Sequence, residues 1–332
     1  MSLLEVRDLT VAFPGRHGYN AAVEGVSFDV AAGSTVGIVG ESGSGKTVTA
    51  LSVLGLTRAQ GARVTGQVRF DGTDLQRLNE RQLSRIRGAR VSMIFQQAIR
   101  TLDPAFTVGE QIAETVRRHE DVSRKEAWQR AVDMLDRVHI PRAAERAKEY
   151  PHTFSGGMCQ RAMIAMALAC SPQLVFADEP TTALDVTVQA RILDLLREIQ
   201  RDTGIAIVFI THDLGVIAEM ADRIVVMYAG QVVEQGDVDE IFVRPRHPYT
   251  AGLMSAIPVV GQGRRLVDIP GNVPAPGRAP AGCRFHPRCP HHVPGRCDAA
   301  VPPLEEQNGH DVRCVRADEL TLRGIAVTGA AR

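Results

Sequence analysis

Residues 40–47 read GESGSGKT, a Gly-x4-Gly-Lys-Thr spacing that can wrap a phosphate chain. A short apolar strand signal, TVGIVG (35–40), precedes it and a helix-like stretch, KTVTALSVLGL (46–56), follows, which is the context such a loop requires. Glycines let the backbone N–H groups of Ser42, Gly43 and Gly45 converge on phosphate oxygens without obstruction by a Cβ. Lys46 can reach the β- and γ-phosphates, the Thr47 hydroxyl can ligate Mg2+, and Val48 continues the helix start, whose dipole favours an anion. LVFADE (174–179) supplies complementary chemistry. Its apolar run brings Asp178 to the carboxyl end of a buried strand, where it can hold Mg2+ through water, and Glu179 can polarise an attacking water. An Asp-Glu pair after a strand is otherwise a helix N-cap pair.

Three further stretches narrow the chemistry. FSGGMCQR (154–161) opens a helix with Ser155, Gly156 and Gly157, a second anion-binding helix start. ITHD (210–213) places His212 at a strand end, within reach of a γ-phosphate, although a lone histidine there is more often structural. IFQQ (94–97) places Gln96 where it can touch Mg2+ or the attacking water, or serve as an ordinary loop residue.

A separate group of residues raises a different chemistry. Cys283, Cys289, Cys297 and Cys314 form C-x5-C-x7-C-x16-C in a Pro- and Gly-rich segment with little periodicity. Zinc sites prefer C-x2-4-C pairs, and the bacterial ferredoxin run is much tighter, so spacing alone does not choose a metal. Free thiols, zinc with help from His286 or His291, and an iron–sulfur cluster all remain open. A segment with so little apolar patterning needs some staple to fold. Disulfides are disfavoured, because MSLLEVRDLTVAF does not read as a signal peptide and a reducing cytoplasm is the expected compartment. Cys159 receives no role.

The elements that must position these residues alternate. LEVRDLTVAF, GVSFDV and RVTGQVRF read as antiparallel strands. From about 97 to 170 the pattern is helical; strand signals return at 173–178, 205–212 and 223–230, with a helix-like stretch, VTVQARILDLLREIQ, between the first two. Strands alternating with helices imply an α/β fold with a mostly parallel sheet. The composition changes after about residue 244. Lys plus Arg equals Asp plus Glu, 38 each, so no global field favours nucleic acid, and Arg117 and Arg118 read as a solvated helix face. The longest apolar run, 162–170, is short of the ~18–20 residues that span a bilayer. A soluble chain is expected.

Taken in order, these motifs resemble the ATP-binding cassette (ABC) ATPases over 1–243. GESGSGKT resembles the Walker A motif, LVFADE Walker B, FSGGMCQR the signature, Gln96 the Q-loop, ALD (183–185) the D-loop and His212 the switch histidine. The resemblance implies a P-loop, RecA-like core with an antiparallel β subdomain and a helical subdomain inserted at about 97–170. It further implies a head-to-tail dimer in which each ATP lies between Lys46 of one subunit and Ser155, Gly156, Gly157 and Asp185 of its partner. An aromatic ring would stack on adenine, Phe13 or alternatively Tyr19. The signature departs from Leu-Ser-Gly-Gly-Gln, having Phe154 and Met158 beside its Ser-Gly-Gly.

MIFQQAIRTLDP, YPHTFSGGMCQR, HPYTAGLMSAIP and GCRFHPRCP are similar to the dipeptide and oligopeptide permease branch, which also serves some nickel uptake systems. That likeness implies a C-terminal region from 244 to 332 and a [4Fe–4S] cluster on Cys283, Cys289, Cys297 and Cys314. Its implied partners are a second, paralogous ATPase, two transmembrane permeases and an extracytoplasmic peptide-binding protein, with this chain at the cytoplasmic face of the membrane. Uptake of nickel or another small solute is the alternative. A non-transport cassette in DNA repair fits less well, because the 109 positions from Lys46 to Ser155 leave no room for a long coiled-coil insertion. Translation cassettes usually occur two to a chain, and this chain has one set of motifs.

Overall fold

A computed structural model describes residues 2–16, 18–182, 184–256, 268–307 and 309–325. These divide into two compact units, one within Met1–Ala31, Thr35–Gln76 and Phe209–Arg332, the other within Ala32–Ser34 and Arg77–Val208.

The first unit contains two sheets. In the antiparallel one, Ser2–Gly15 runs between Gly18–Ala31 and Arg63–Phe70, with Thr73–Asp74 beyond. Leu4, Val6, Leu9 and Val11 are fully buried along the central strand, and the bulges where its register shifts keep them on the inner face. Gly66 sits opposite one such shift with φ 97°, and a Cβ there would lie 2.5 Å from the Asp8 carbonyl, so only glycine fits. In the second sheet Thr35–Val39 is parallel to Arg223–Tyr228, which forms an antiparallel pair with Gln231–Asp237. His310–Val312 and Glu305–Gln307 extend that edge.

The second unit holds the parallel pair Val91–Ile94 and Leu174–Asp178, each buried along its length. Continuous apolar runs, rather than alternation, are what strands covered on both faces require. Its helices include Val108–His119, Arg124–Arg137, Gly156–Leu168 and Val186–Thr203. Thr107 with Glu110 and Ser123 with Glu126 form capping boxes at the first two. Arg124–Arg137 buries Ala127, Ala131 and Leu135, a stripe at four-residue spacing that sets its inner face. The strand Ala206–Thr211 is divided between the units after Val208. The α/β architecture expected from the alternating pattern is therefore present in both. The strand Gln231–Asp237 and the helices Leu214–Met220 and Val238–Val243 are additional to those expected.

Candidate functional site

In the first unit the strand Thr35–Val39 ends directly in the glycine loop, and the helix Lys46–Val53 begins with Gly45 at φ 102°. Gly40 has φ 151°, and a Cβ there would stand 2.2 Å from the Met227 carbonyl. The loop can close only because its glycines adopt backbone forms that other residues resist. Ser42, Gly43 and Thr47 are exposed, and Gly45 and Val48 are half-buried. Lys46 is folded over the loop, its Nζ donating to the carbonyls of Gly40 at 2.7 Å and Glu41 at 3.0 Å. A lysine so held is pre-positioned beside the loop amides.

Glu41, the second loop residue, is fixed from outside the motif. Its N–H donates to the Tyr249 hydroxyl at 2.8 Å, and its carboxylate accepts from Arg288 at 3.0 Å. His212 is exposed at the end of its strand, before Asp213, which caps the helix Leu214–Met220. Phe13 is half-buried and pairs with Asn20 across the hairpin. Tyr19 is exposed, and the Arg63 guanidinium lies 3.8 Å from its ring centroid, occupying one face.

In the second unit Asp178 is 3% exposed at the end of its strand. Glu179 follows with φ 46°, a left-handed form uncommon outside glycine and found at strained functional positions. Gln96 donates to Glu179 Oε2 at 2.7 Å and Thr182 Oγ1 donates to the same oxygen at 2.8 Å. Gln96 and Glu179 thus meet. No helix starts at the Asp-Glu pair; the next helix, Val186–Thr203, is capped by Asp185, which accepts from the Val188 N–H at 2.9 Å. Ser155 caps Gly156–Leu168, accepting from the Met158 N–H at 3.3 Å. Gly157 lies close enough to Val188 that a Cβ would come within 2.9 Å of it, while Gly156 is exposed. Of the D-loop triplet, Ala183 lies outside the described residues. Cys159 is buried, its Sγ 3.5 Å from the Pro151 carbonyl, and burial raises its pKa, which makes it an inert core thiol.

The four C-terminal cysteines line one small cavity in the first unit, together with Phe285, His286, His291 and His247. Burial pushes the Cys289 and Cys314 thiols up to about 11, and the neighbouring thiols push in the same direction. Cys283 is raised chiefly by burial. His247 Nε2 and His286 Nδ1 are buried without a hydrogen-bond partner among the described residues. Thiols and imidazoles that line one cavity are the donor types a metal centre uses. Among the described residues, no group of three or more His, Cys, Asp or Glu is placed to hold a metal ion. The donors fit in kind and in sharing one cavity, and the spacing for one directly bound ion is not formed.

Sequence reasoning overlooked Glu41, Tyr249 and Arg288. Tyr249 and Arg288 lie in HPYT and CRFHPRCP, but no spacing rule links either of them to residue 41.

Residues 23–182 match the family described as ABC transporter, and 233–297 match the oligopeptide/dipeptide transporter C-terminal region. The chain is 52% identical to the probable peptide ABC transporter ATP-binding protein y4tR of Sinorhizobium fredii, over 96% of each chain. It is 47% identical to the oligopeptide transport ATP-binding protein AppD of Bacillus subtilis, over 96% of this chain and 98% of that one. Among solved structures it is similar to the dimeric ATP-binding cassette MJ0796 with ADP and Pi bound, with TM-score 0.64 and 28% identity over 71% of this chain and 98% of that chain. The glycine loop, the strand-end carboxylates and the matched C-terminal region agree: the chain belongs to the ABC transporter family, as an ATP-hydrolysing cassette of its oligopeptide/dipeptide transporter branch.

Proposed function

We propose that this cassette energises the import of di- and oligopeptides through separate membrane subunits. The observation that carries the reading is that one chain joins a full set of ABC motifs to the oligopeptide/dipeptide C-terminal region. No helix among the described residues is long and apolar enough to cross a membrane, so other chains provide the pathway. The second unit exposes Phe95, Ile99, Phe106 and Tyr150, apolar surface suited to docking a permease at the cytoplasmic face of the membrane.

Within the cassette the roles follow the chemistry of each residue. The amides of Ser42, Gly43, Gly45 and Val48, with Lys46, hold the ATP phosphates; Thr47, Gln96 and Asp178 hold Mg2+; Phe13 stacks on adenine. Glu179 orients the attacking water, and His212 bonds the γ-phosphate. Ser155, Gly156, Gly157 and Asp185 act on the ATP of a second cassette, a paralogue of this one. ATP binding closes the pair and hydrolysis reopens it. An extracytoplasmic binding protein delivers the peptide.

The thiol cavity belongs to a C-terminal region beginning at about 244, and its four cysteines are the ligands of a [4Fe–4S] cluster. Such a cluster would supply a rigid cross-link to a segment poor in secondary structure. Anaerobic purification with iron, sulfide and zinc analysis tests this: about four iron and four sulfide per chain are expected, and zinc alone or no metal removes the cluster. The transport reading is tested by purifying the complex from its native membrane and assaying ATP-driven peptide uptake. Two permeases and a second cassette should accompany the chain, and turnover without accelerated uptake of any peptide would remove the transport role.

A further inference from the structure

Arg288 lies between Cys283 and Cys289 in sequence, yet its side chain ends on the phosphate loop. Its Nη1 donates to Glu41 Oε1 at 3.0 Å and to the Tyr228 hydroxyl at 3.3 Å. Its Nε donates to the Pro270 carbonyl at 2.7 Å, and Nη2 to the carbonyls of Ile269 and Gly271 at 3.2 Å each. The side chain is only 7% exposed. Tyr228, Tyr249 and Phe285 surround this contact with ring centroids 4.7–5.3 Å apart. A buried guanidinium with every donor nitrogen engaged fixes whatever carboxylate it holds, because moving that carboxylate would leave a buried positive charge without its counter-ion.

The carboxylate it holds belongs to the loop that must converge on ATP. Glu41 is also bound at its N–H by Tyr249, and its carbonyl accepts from Lys46 Nζ and from the Ser44 N–H. One residue therefore links Arg288 to the lysine and to the backbone turn that receive phosphate. The nucleotide loop motif demands glycines, lysine and threonine but leaves this second position unspecified. Among the described residues, the carboxylate of the glutamate there takes its ion-pair partner from the C-terminal segment.

We propose that Arg288 is a positioning residue for ATP binding, which clamps Glu41 and holds the phosphate loop in its receiving form from the thiol-bearing segment. The clamp acts through Glu41 and touches no reacting atom. It sets affinity for ATP rather than the chemical step, since the loop must be arranged in the ground state as much as in the transition state. This deepens the proposed function and rests on residues 40–47 being the ATP-phosphate loop.

The experiment measures MgATP affinity, KM, kcat and melting temperature of the full-length chain for Arg288→Ala, Arg288→Lys, Glu41→Gln and the Ala/Gln double variant. Arg288→Ala should weaken ATP binding by about tenfold, the scale of one charge-assisted hydrogen bond, with kcat changed less than about twofold. Arg288→Lys should recover part of the affinity. The double variant should be no weaker than the worse single one, because both break the same contact. Lys46→Ala serves as control for the loop itself. Wild-type affinity in a folded Arg288→Ala, or strictly additive effects in the double variant, overturns the clamp while leaving the ATP site intact. Should Arg288→Ala not fold, Glu41→Gln decides alone: unchanged affinity overturns the clamp and a comparable loss supports it. Undiminished ATP binding by Lys46→Ala would remove the loop assignment and the clamp together.

Discussion

Glu179 is held in a left-handed backbone form while Gln96 and Thr182 both donate to one of its carboxylate oxygens. Two donors on one oxygen fix the side chain, and an oriented carboxylate is what a water-activating group needs. Glu179→Gln should retain ATP binding and lose turnover by about 10²–10⁴-fold, the range for removing a positioned base; steady-state hydrolysis and nucleotide binding on one preparation check both. Wild-type hydrolysis would take the role from Glu179. The placement of Lys46 at a helix start, and of Asp178, Glu179 and His212 at or just past strand ends, was legible in the sequence because each sits in a short stretch whose neighbours reveal it. Arg288 was not, since its partner Glu41 lies 247 positions away and nothing local to either marks the pairing.

Elements carry the next set of constraints. The helix Gly156–Leu168 starts at Ser155, and Val186–Thr203 starts at Asp185, so candidate functional residues double as caps. Asp185→Ala should destabilise the chain by about 1 kcal/mol through loss of the bond to the Val188 N–H, read as a lower midpoint in chemical denaturation. Gly157 packs against Val188, and an added Cβ would stand 2.9 Å from Val188 Cγ1. Gly157→Ala should therefore lower stability by about 1 kcal/mol or more, and adding Val188→Ala should recover most of the loss; absence of that recovery would mean the contact is not what limits the site. Strand and helix periodicity made most elements readable. The strand Gln231–Asp237 escaped because Glu234, a charged residue that reads as exposed, is as fully buried as Val232 in the same strand. That carboxylate accepts from the N–H groups of Arg246 and His247 and pairs with His310 at 2.7 Å, three partners that only the folded chain supplies.

At the scale of the whole molecule, equal numbers of acidic and basic residues fit an assembly held by specific surfaces rather than by a general field. The C-terminal region was readable as a thiol-rich segment, but its contact with the phosphate loop was not, because it depends on chain paths through Pro- and Gly-rich sequence without periodicity. Tyr249 of HPYT and Arg288 of CRFHPRCP, which marked the branch in sequence, both reach Glu41 of the phosphate loop. These branch-marking segments thus contact the glycine loop of a peptide-importer ATPase. The most direct measurement is ATP-driven uptake of a labelled oligopeptide into vesicles containing the purified complex and its binding protein, comparing wild type with Glu179→Gln in this chain. The account predicts uptake that requires ATP and peptide-loaded binding protein and falls sharply in the variant. Uptake that proceeds unchanged in the variant, or ATP turnover that moves no peptide, would contradict it.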